Sequence, residues 1–269
     1  MAIDNFIPEI WSAGVTQSFI ANQIVIPTLN TQYDGVATRG NTVHIINATT
    51  PTIVDYAAAG RTINAEALSD TEVQLLINQE KAFSVNVDDV DKVQAAGSFN
   101  AWTEAAGRAL AEDAESFLIA TMLAGATDGN SGAVVVDTPD EAKAALRAIR
   151  KLMVEAKVPS ANRSCVVNPD FADLLLQGLS DVSAAGSSDE LRNGVIARLY
   201  GMDILESPLV AGSTASAIGY HQDMVAFVNQ IGSLESLRNP AKFSDIVRGL
   251  NVYGALVVKT EAVVKYVSA

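Results

Sequence analysis

The sequence predicts an α+β fold, on three observations. Residues 99–124, "FNAWTEAAGRALAEDAESFLIATMLA", carry an apolar stripe at helical spacing over about seven turns. Residues 71–89, "TEVQLLINQEKAFSVNVDD", read as a long strand with a break near Asn78, and strand-like runs return towards the C-terminus. Residues 138 to about 227 run helix, strand, helix and two-stranded ribbon, the order of a compact α/β lobe.

Taken in order, the first element is "PEIWSAGVTQSFIANQIVIPTL". Trp11, Val15, Phe19 and Ile20 share one helical face and Pro27 ends the segment, which reads as an arm lying on a neighbour. "NTVHIINATTPTIVDY" then alternates as a strand until Pro51 interrupts it. Residues 48–70, "ATTPTIVDYAAAGRTINAEALSD", are rich in small residues around Gly60 and show no core periodicity. Flanked by strands, they read as the end of a hairpin projecting on the order of 35 Å. A two-stranded ribbon is marginal alone in water, so it is expected to lie on another subunit.

On the long helix, Trp102, Ala106, Leu110, Ala114, Phe117 and Leu118 form the apolar stripe. Glu104, Arg108, Glu112 and Glu115 form the solvated face, with Glu104 and Arg108 a favourable i,i+4 pair. The helix would run about 39 Å before Gly125 ends it. "TDGNSGAVVVD" reads as a turn leading into a short strand. In "TPDEAKAALRAIRKLMVEAKVP", Thr138 caps, Pro139 takes the first helical position and Glu141 reaches back. "RSCVVNPDFADLLLQGL" is a buried strand and a short helix, "SDVSAAGSSDE" a polar loop. "NGVIARLYGMDILESPLV" is a ribbon turned by Tyr200-Gly201. "DIVRGLNVYGALVVKTEAVVKYVSA" reads as two long strands returning to the long helix rather than extending the α/β lobe.

Composition narrows the partners. Of 269 residues 49% are hydrophobic and only 18% charged, and mean hydropathy is +0.21, so the surface is apolar for a monomer and an oligomer is expected. Net charge is −13 with no Lys/Arg cluster to neutralise phosphates or dock on anionic lipid. One cysteine, Cys165, excludes an intrachain disulfide and suits a reducing cytosol. The N-terminus lacks a signal-peptide pattern, and no apolar run reaches membrane-spanning length.

Chemistry is sparse. His44 and His221 lie in separate strand-like runs and read as structural, and Cys165 reads as a core thiol. Asp88, Asp89 and Asp91 lack the glycine and closing glutamate of a calcium loop and read as an acidic helix start. No G-x-S-x-G, G-x-G-x-x-G or P-loop is present, and no cofactor or metal is expected. Arg61, alone beyond Gly60, has two readings: a solvated tip charge, or a salt bridge to a neighbour's acidic patch.

The order of elements, with "FSVNVDDVDKVQA", "SCVVNPDFADLLL", "NGVIARLYGMDILESPLV" and "VRGLNVYGALVVKTEAVV", resembles the major capsid protein of tailed double-stranded DNA bacteriophages, the Hong Kong 97-type fold. The resemblance covers nearly the whole chain. It implies an N-terminal arm and first strand (1–47), an extended loop (48–70) and a peripheral domain with a spine helix (71–137). It further implies an axial domain (138–227) and a return to the peripheral domain (228–269). Implied partners are the chain itself in hexamers and pentamers, a portal and a decoration protein, around DNA held without specific binding. The extended loop contains no Lys, so the covalent crosslink of some members is not expected. The arm starts almost at Met1, so scaffolding is expected from a separate protein. Interface candidates are Trp11 and Phe19 in the arm, Tyr56 and Arg61 in the loop, and Trp102 and Arg108 on the spine helix. An encapsulin-type nanocompartment shell is the alternative on the same fold, and a cytosolic α/β enzyme the alternative on another.

Overall fold

The computed structural model describes residues 23–30, 32, 42–48, 52–58, 60–62, 70–88, 100–179, 195–210, 214–240 and 242–269. The elements are β1 (Thr42–Ala48), β2 (Asp70–Leu76), β3 (Gln79–Asp88), α1 (Asn100–Gly125), β4 (Thr127–Asp128), α2 (Pro139–Glu155) and β5 (Arg163–Val167). They continue with α3 (Pro169–Leu179), β6 (Val195–Leu199), β7 (Met202–Glu206), β8 (Ser216–His221), β9 (Val225–Arg238), β10 (Ser244–Val257) and β11 (Val264–Val267). The break at Asn78, the long helix and the ribbon stand where the sequence places them.

Six strands form a mixed sheet in the order β4-β11-β8-β5-β7-β6. Its inner strands are apolar on both faces because both faces are covered. Cys165, Val167, Ile204 and Ala217 pack under Leu146, Ile149 and Met153 of α2 and Phe171 and Leu175 of α3. Val166, Leu205, Ile218 and Tyr220 point the other way, into a second core with Ala111, Ala114, Leu118 and Met122 of α1. The capping box at α2 forms as read: Thr138 accepts from the Glu141 amide and the Glu141 carboxylate accepts from the Thr138 amide at 3.0 Å. That carboxyl is held below its usual range by the Thr138 hydroxyl and the Asp137 amide. The β6–β7 ribbon turns through Tyr200 at φ 52° and Gly201 at φ 80°. Positive φ at both centres matches the twist of the flanking strands, and glycine adopts it without Cβ strain.

A three-stranded antiparallel sheet, β3-β10-β9, packs on the same stretch of α1 and shares the second core through Phe227 and Tyr253. On its helix side Tyr253 meets the edge of Phe117 with centroids 5.6 Å apart. The Tyr253 hydroxyl donates to Asp113, whose carboxylate also lies 3.5 Å from Lys81 Nζ. On its opposite side sits the base of a third, two-stranded sheet, β1–β2, through Val43, Ile45, Leu75 and Ile77 against Ala226 and Val228. Gly254 makes that seating possible: a Cβ there would fall on the Leu76 carbonyl and 3.0 Å from the Ile77 Cα.

Four readings are corrected. The C-terminal stretch is not two long strands returning to the helix. A 3-10 turn at Thr260–Ala262 breaks it, and the four-residue β11 joins β8 and β4 in the α/β-lobe sheet. The short strand near Gly129 precedes its turn instead of following it. Past the turn the Val134 backbone is satisfied on both sides by the Asn130 side chain, so no ladder forms there. Pro27 does not end the first segment but lies within a 3-10 turn, Ile26–Thr28. Glu115 is not on the solvated face of α1; it is 2% exposed.

Candidate assembly surface

β1 and β2 form a ladder of seven pairs, from Thr42↔Leu76 to Ala48↔Asp70. At 3.3 Å per residue it carries the excursion about 23 Å from its first pair. Beyond the ladder the chain closes on itself locally. The Asp55 carboxylate accepts from the amides of Ala57 at 2.9 Å and Ala58 at 3.3 Å, and the Arg61 amide donates to the Tyr56 carbonyl at 2.9 Å. Gly60 and Arg61 turn the chain at φ 65° and 60°, the left-handed region that costs a non-glycine residue energy.

This turn hides nothing apolar. Ile53 is 94% exposed, and Val54 and Tyr56 are more than half exposed or at half, with Arg61 exposed beside them. Contiguous apolar side chains at the end of a projecting ribbon are what a partner covers. The structure thus brings Tyr56 and Arg61 together in one closed turn. Trp102 falls in the first turn of α1, and Arg108 lies exposed two turns along it. Trp11 and Phe19 lie outside the described residues, as do Asp89, Asp91 and the loop "SDVSAAGSSDE".

The sequence reading missed a second exposed apolar feature. Phe243, 82% exposed, lies in the turn between β9 and β10. Leu237 and Leu250 are exposed on the same sheet, on the face where Arg248 Nε and Nη2 both donate to Glu235 Oε2, at 3.0 and 2.6 Å. Leu250 and the Arg248–Glu235 pair line an open depression of about 400 Å³ together with Ala82, Phe83 and Ser84. The signal was available: "NPAKFS" is a proline turn with an aromatic residue and no apolar partner in period.

The groups capable of chemistry have structural work. His221 is buried and its ring accepts from the Asp223 amide at 3.2 Å, closing the turn after β8. His44 pairs with Glu72 on the exposed face of the ladder. Cys165 is fully buried and its thiol is pushed up to about 12, far from the thiolate that a nucleophile needs. Among the described residues no group of three His, Cys, Asp or Glu could hold a metal ion, and no helix is long and apolar enough to cross a membrane.

Known proteins agree with this picture. A family model described as phage capsid protein matches residues 72–266. A solved structure from Mycobacterium phage Che8 is 37% identical over 91% of this chain and 90% of its own, with a TM-score of 0.79. The capsid of Cyanophage P-SCSP1u is 15% identical over 86% and 84%, with a TM-score of 0.68. A virus-like particle from Pyrococcus furiosus is 14% identical over 94% and 96%, with a TM-score of 0.63, a likeness of fold alone. No curated protein sequence matches significantly. The family and the substantial identity both fall on the phage side, which disfavours the nanocompartment alternative. With two sheets packed on one long helix and an apolar turn held out on a ribbon, the chain belongs to the phage capsid protein family and is a major capsid protein of the Hong Kong 97-type fold.

Proposed function

We propose that this chain builds an icosahedral head from hexamers and pentamers, with the turn at residues 52–62 of each copy laid on its neighbour. Ile53, Val54 and Tyr56 supply the apolar contact, and Arg61 a fork for a neighbouring carboxylate. Residues 1–47 comprise the N-terminal arm and the first strand, and the arm lies on another copy, with Trp11 and Phe19 as its contacts. Residues 71–137 and 228–269 form the peripheral part and 138–227 the axial part, with Trp102 and Arg108 on the spine. The chain performs no catalysis; a separate scaffolding protein, a portal and a decoration protein complete the particle in the cytoplasm of the bacterial host. The acidic balance keeps the inner wall from holding DNA tightly.

The observation that carries this reading is the exposure of Ile53 and Tyr56 in the turn beyond a seven-pair ladder whose base packs on the body. Repeated over many copies, modest contacts of this kind close a shell. The test is Ile53→Asp. A fully exposed side chain contributes nothing to the subunit's own core, so the variant should fold as the wild type does and yet form no closed shells. Normal shells from the variant would overturn the reading.

A further inference from the structure

Glu115 is the one acidic side chain of α1 buried in the fold, and its position is unusual in three respects. It sits on the apolar row of α1 between Ala114 and Leu118, at 2% exposure. Among the described residues no cation faces it: the groups bearing on it are backbone amides of a segment some ninety residues earlier, and a buried carboxylate is rare without a cationic partner. Its Oε1 accepts from the amides of Ile24 at 2.5 Å and Val25 at 2.6 Å. Those amides open the 3-10 turn Ile26–Thr28, whose N-cap residue, Val25, receives no capping bond from a side chain of its own. A helix-type turn leaves its first amides without internal partners. Here the spine helix supplies the cap from outside.

The rest of the turn is gripped at the same place. Val25, Ile26 and Leu29 are buried in the core between α1 and the six-stranded sheet. The Thr28 hydroxyl bonds the Val25 carbonyl at 2.7 Å and shares a 2.5 Å bond with the Tyr220 hydroxyl of β8. Asn30 makes a parallel bridge to Ala226 at the start of β9. The root of the amino-terminal segment is therefore fastened where spine helix, axial sheet and peripheral sheet meet.

We infer that Glu115 is a positioning residue for assembly, the latch that holds the root of the N-terminal arm on the spine helix and so sets where residues 1–22 leave the subunit. The inference rests on the reading of that segment as an arm acting on another copy. The latch works by acceptance at Oε1, so a neutral acceptor of the same shape serves it, whereas a methyl group does not. Glu115→Ala strands two amides, one of them fully buried, and Glu115→Gln keeps their acceptor.

The test compares wild type, E115A and E115Q as full-length chains, by hydrogen exchange of the free subunit and by electron microscopy of its assemblies. In E115A the amides of Ile24, Val25 and Leu29 should lose protection about thirtyfold, the effect of two unmade bonds to a buried acceptor. The amides of β5, β8 and α2 should keep theirs, and shells should be absent or irregular. E115Q should restore both protection and shells. Unchanged protection at Val25 in E115A would overturn the latch. Lost protection with normal shells would overturn its role in assembly, as would an E115Q that fails to rescue. A wild type that forms no shells would instead defeat the assembly reading, and the exchange data would then decide the latch separately.

Discussion

Gly254→Ala probes the joint on which the projecting turn depends. β10 passes directly under the link between β2 and β3, and the new Cβ would meet the Leu76 carbonyl oxygen, lie 3.1 Å from its carbon and 3.0 Å from the Ile77 Cα. Unstrained carbon–carbon contacts need about 3.5–4.0 Å, so one backbone must retreat by roughly 0.5–1 Å. All three atoms are backbone, and no rotamer change can relieve the clash. Leu75 and Ile77, both buried against Ala226 and Val228, would move with it. Overpacking of this kind costs about 1–3 kcal/mol. For a chain of this size that lowers Tm by roughly 2–4 °C per kcal/mol, or about 4–8 °C near the middle of the range. Thermal unfolding of the unassembled subunit by circular dichroism measures it. Hydrogen exchange should place the loosening in β1 and β2 while the six-stranded sheet keeps its protection. A G254A subunit that melts within about 1 °C of wild type would refute the reasoning that this contact seats the ribbon.

Two further outcomes follow from charge. Burial raises the Glu115 carboxyl against the lowering effect of its amide donors, so the native state binds this proton more tightly than the unfolded chain does. The associated stability is fully present below the unfolded value of about 4.5 and is lost as pH rises through the folded value. Glu115→Gln removes that dependence, so the variant's Tm relative to wild type should climb from pH 4 to pH 7, and a flat difference would contradict the burial argument. Free subunits, at a net charge of −13, should bind double-stranded DNA weakly or not at all even at low salt in a filter or gel-shift assay. Tight, salt-sensitive binding would contradict the proposal of a non-adhesive inner wall.

Much of the fold was legible because its signals are local. Thr138, Pro139 and Glu141 announce α2 within one turn of sequence, and Tyr200-Gly201 between two apolar runs announces the β6–β7 ribbon. Alternation on either side of Asn78 separates β2 from β3. What stayed hidden depends on distant covering. Glu115 falls in helical phase with Glu104 and Arg108, and it is buried only because residues 24–29 cross that part of α1, which the helix sequence cannot announce. β11 was misread because Val257 through Val267 is apolar enough for one long strand. Thr260 and Glu261 in the 3-10 turn were the only hint of a change of sheet. Of the proposed assembly surface, Tyr56 and Arg61 stood out through small-residue neighbours and an adjacent glycine. Phe243 did not, since an aromatic residue beside two long strands reads as core until the turn is seen to carry it into solvent.

The most direct test of the account is electron microscopy of the purified protein, expressed alone and with its neighbouring genes, alongside sizing. Closed shells, or rings of six and five copies, are the predicted result, and an Ile53→Asp subunit should be missing from them. A discrete monomer or dimer under every condition would contradict it.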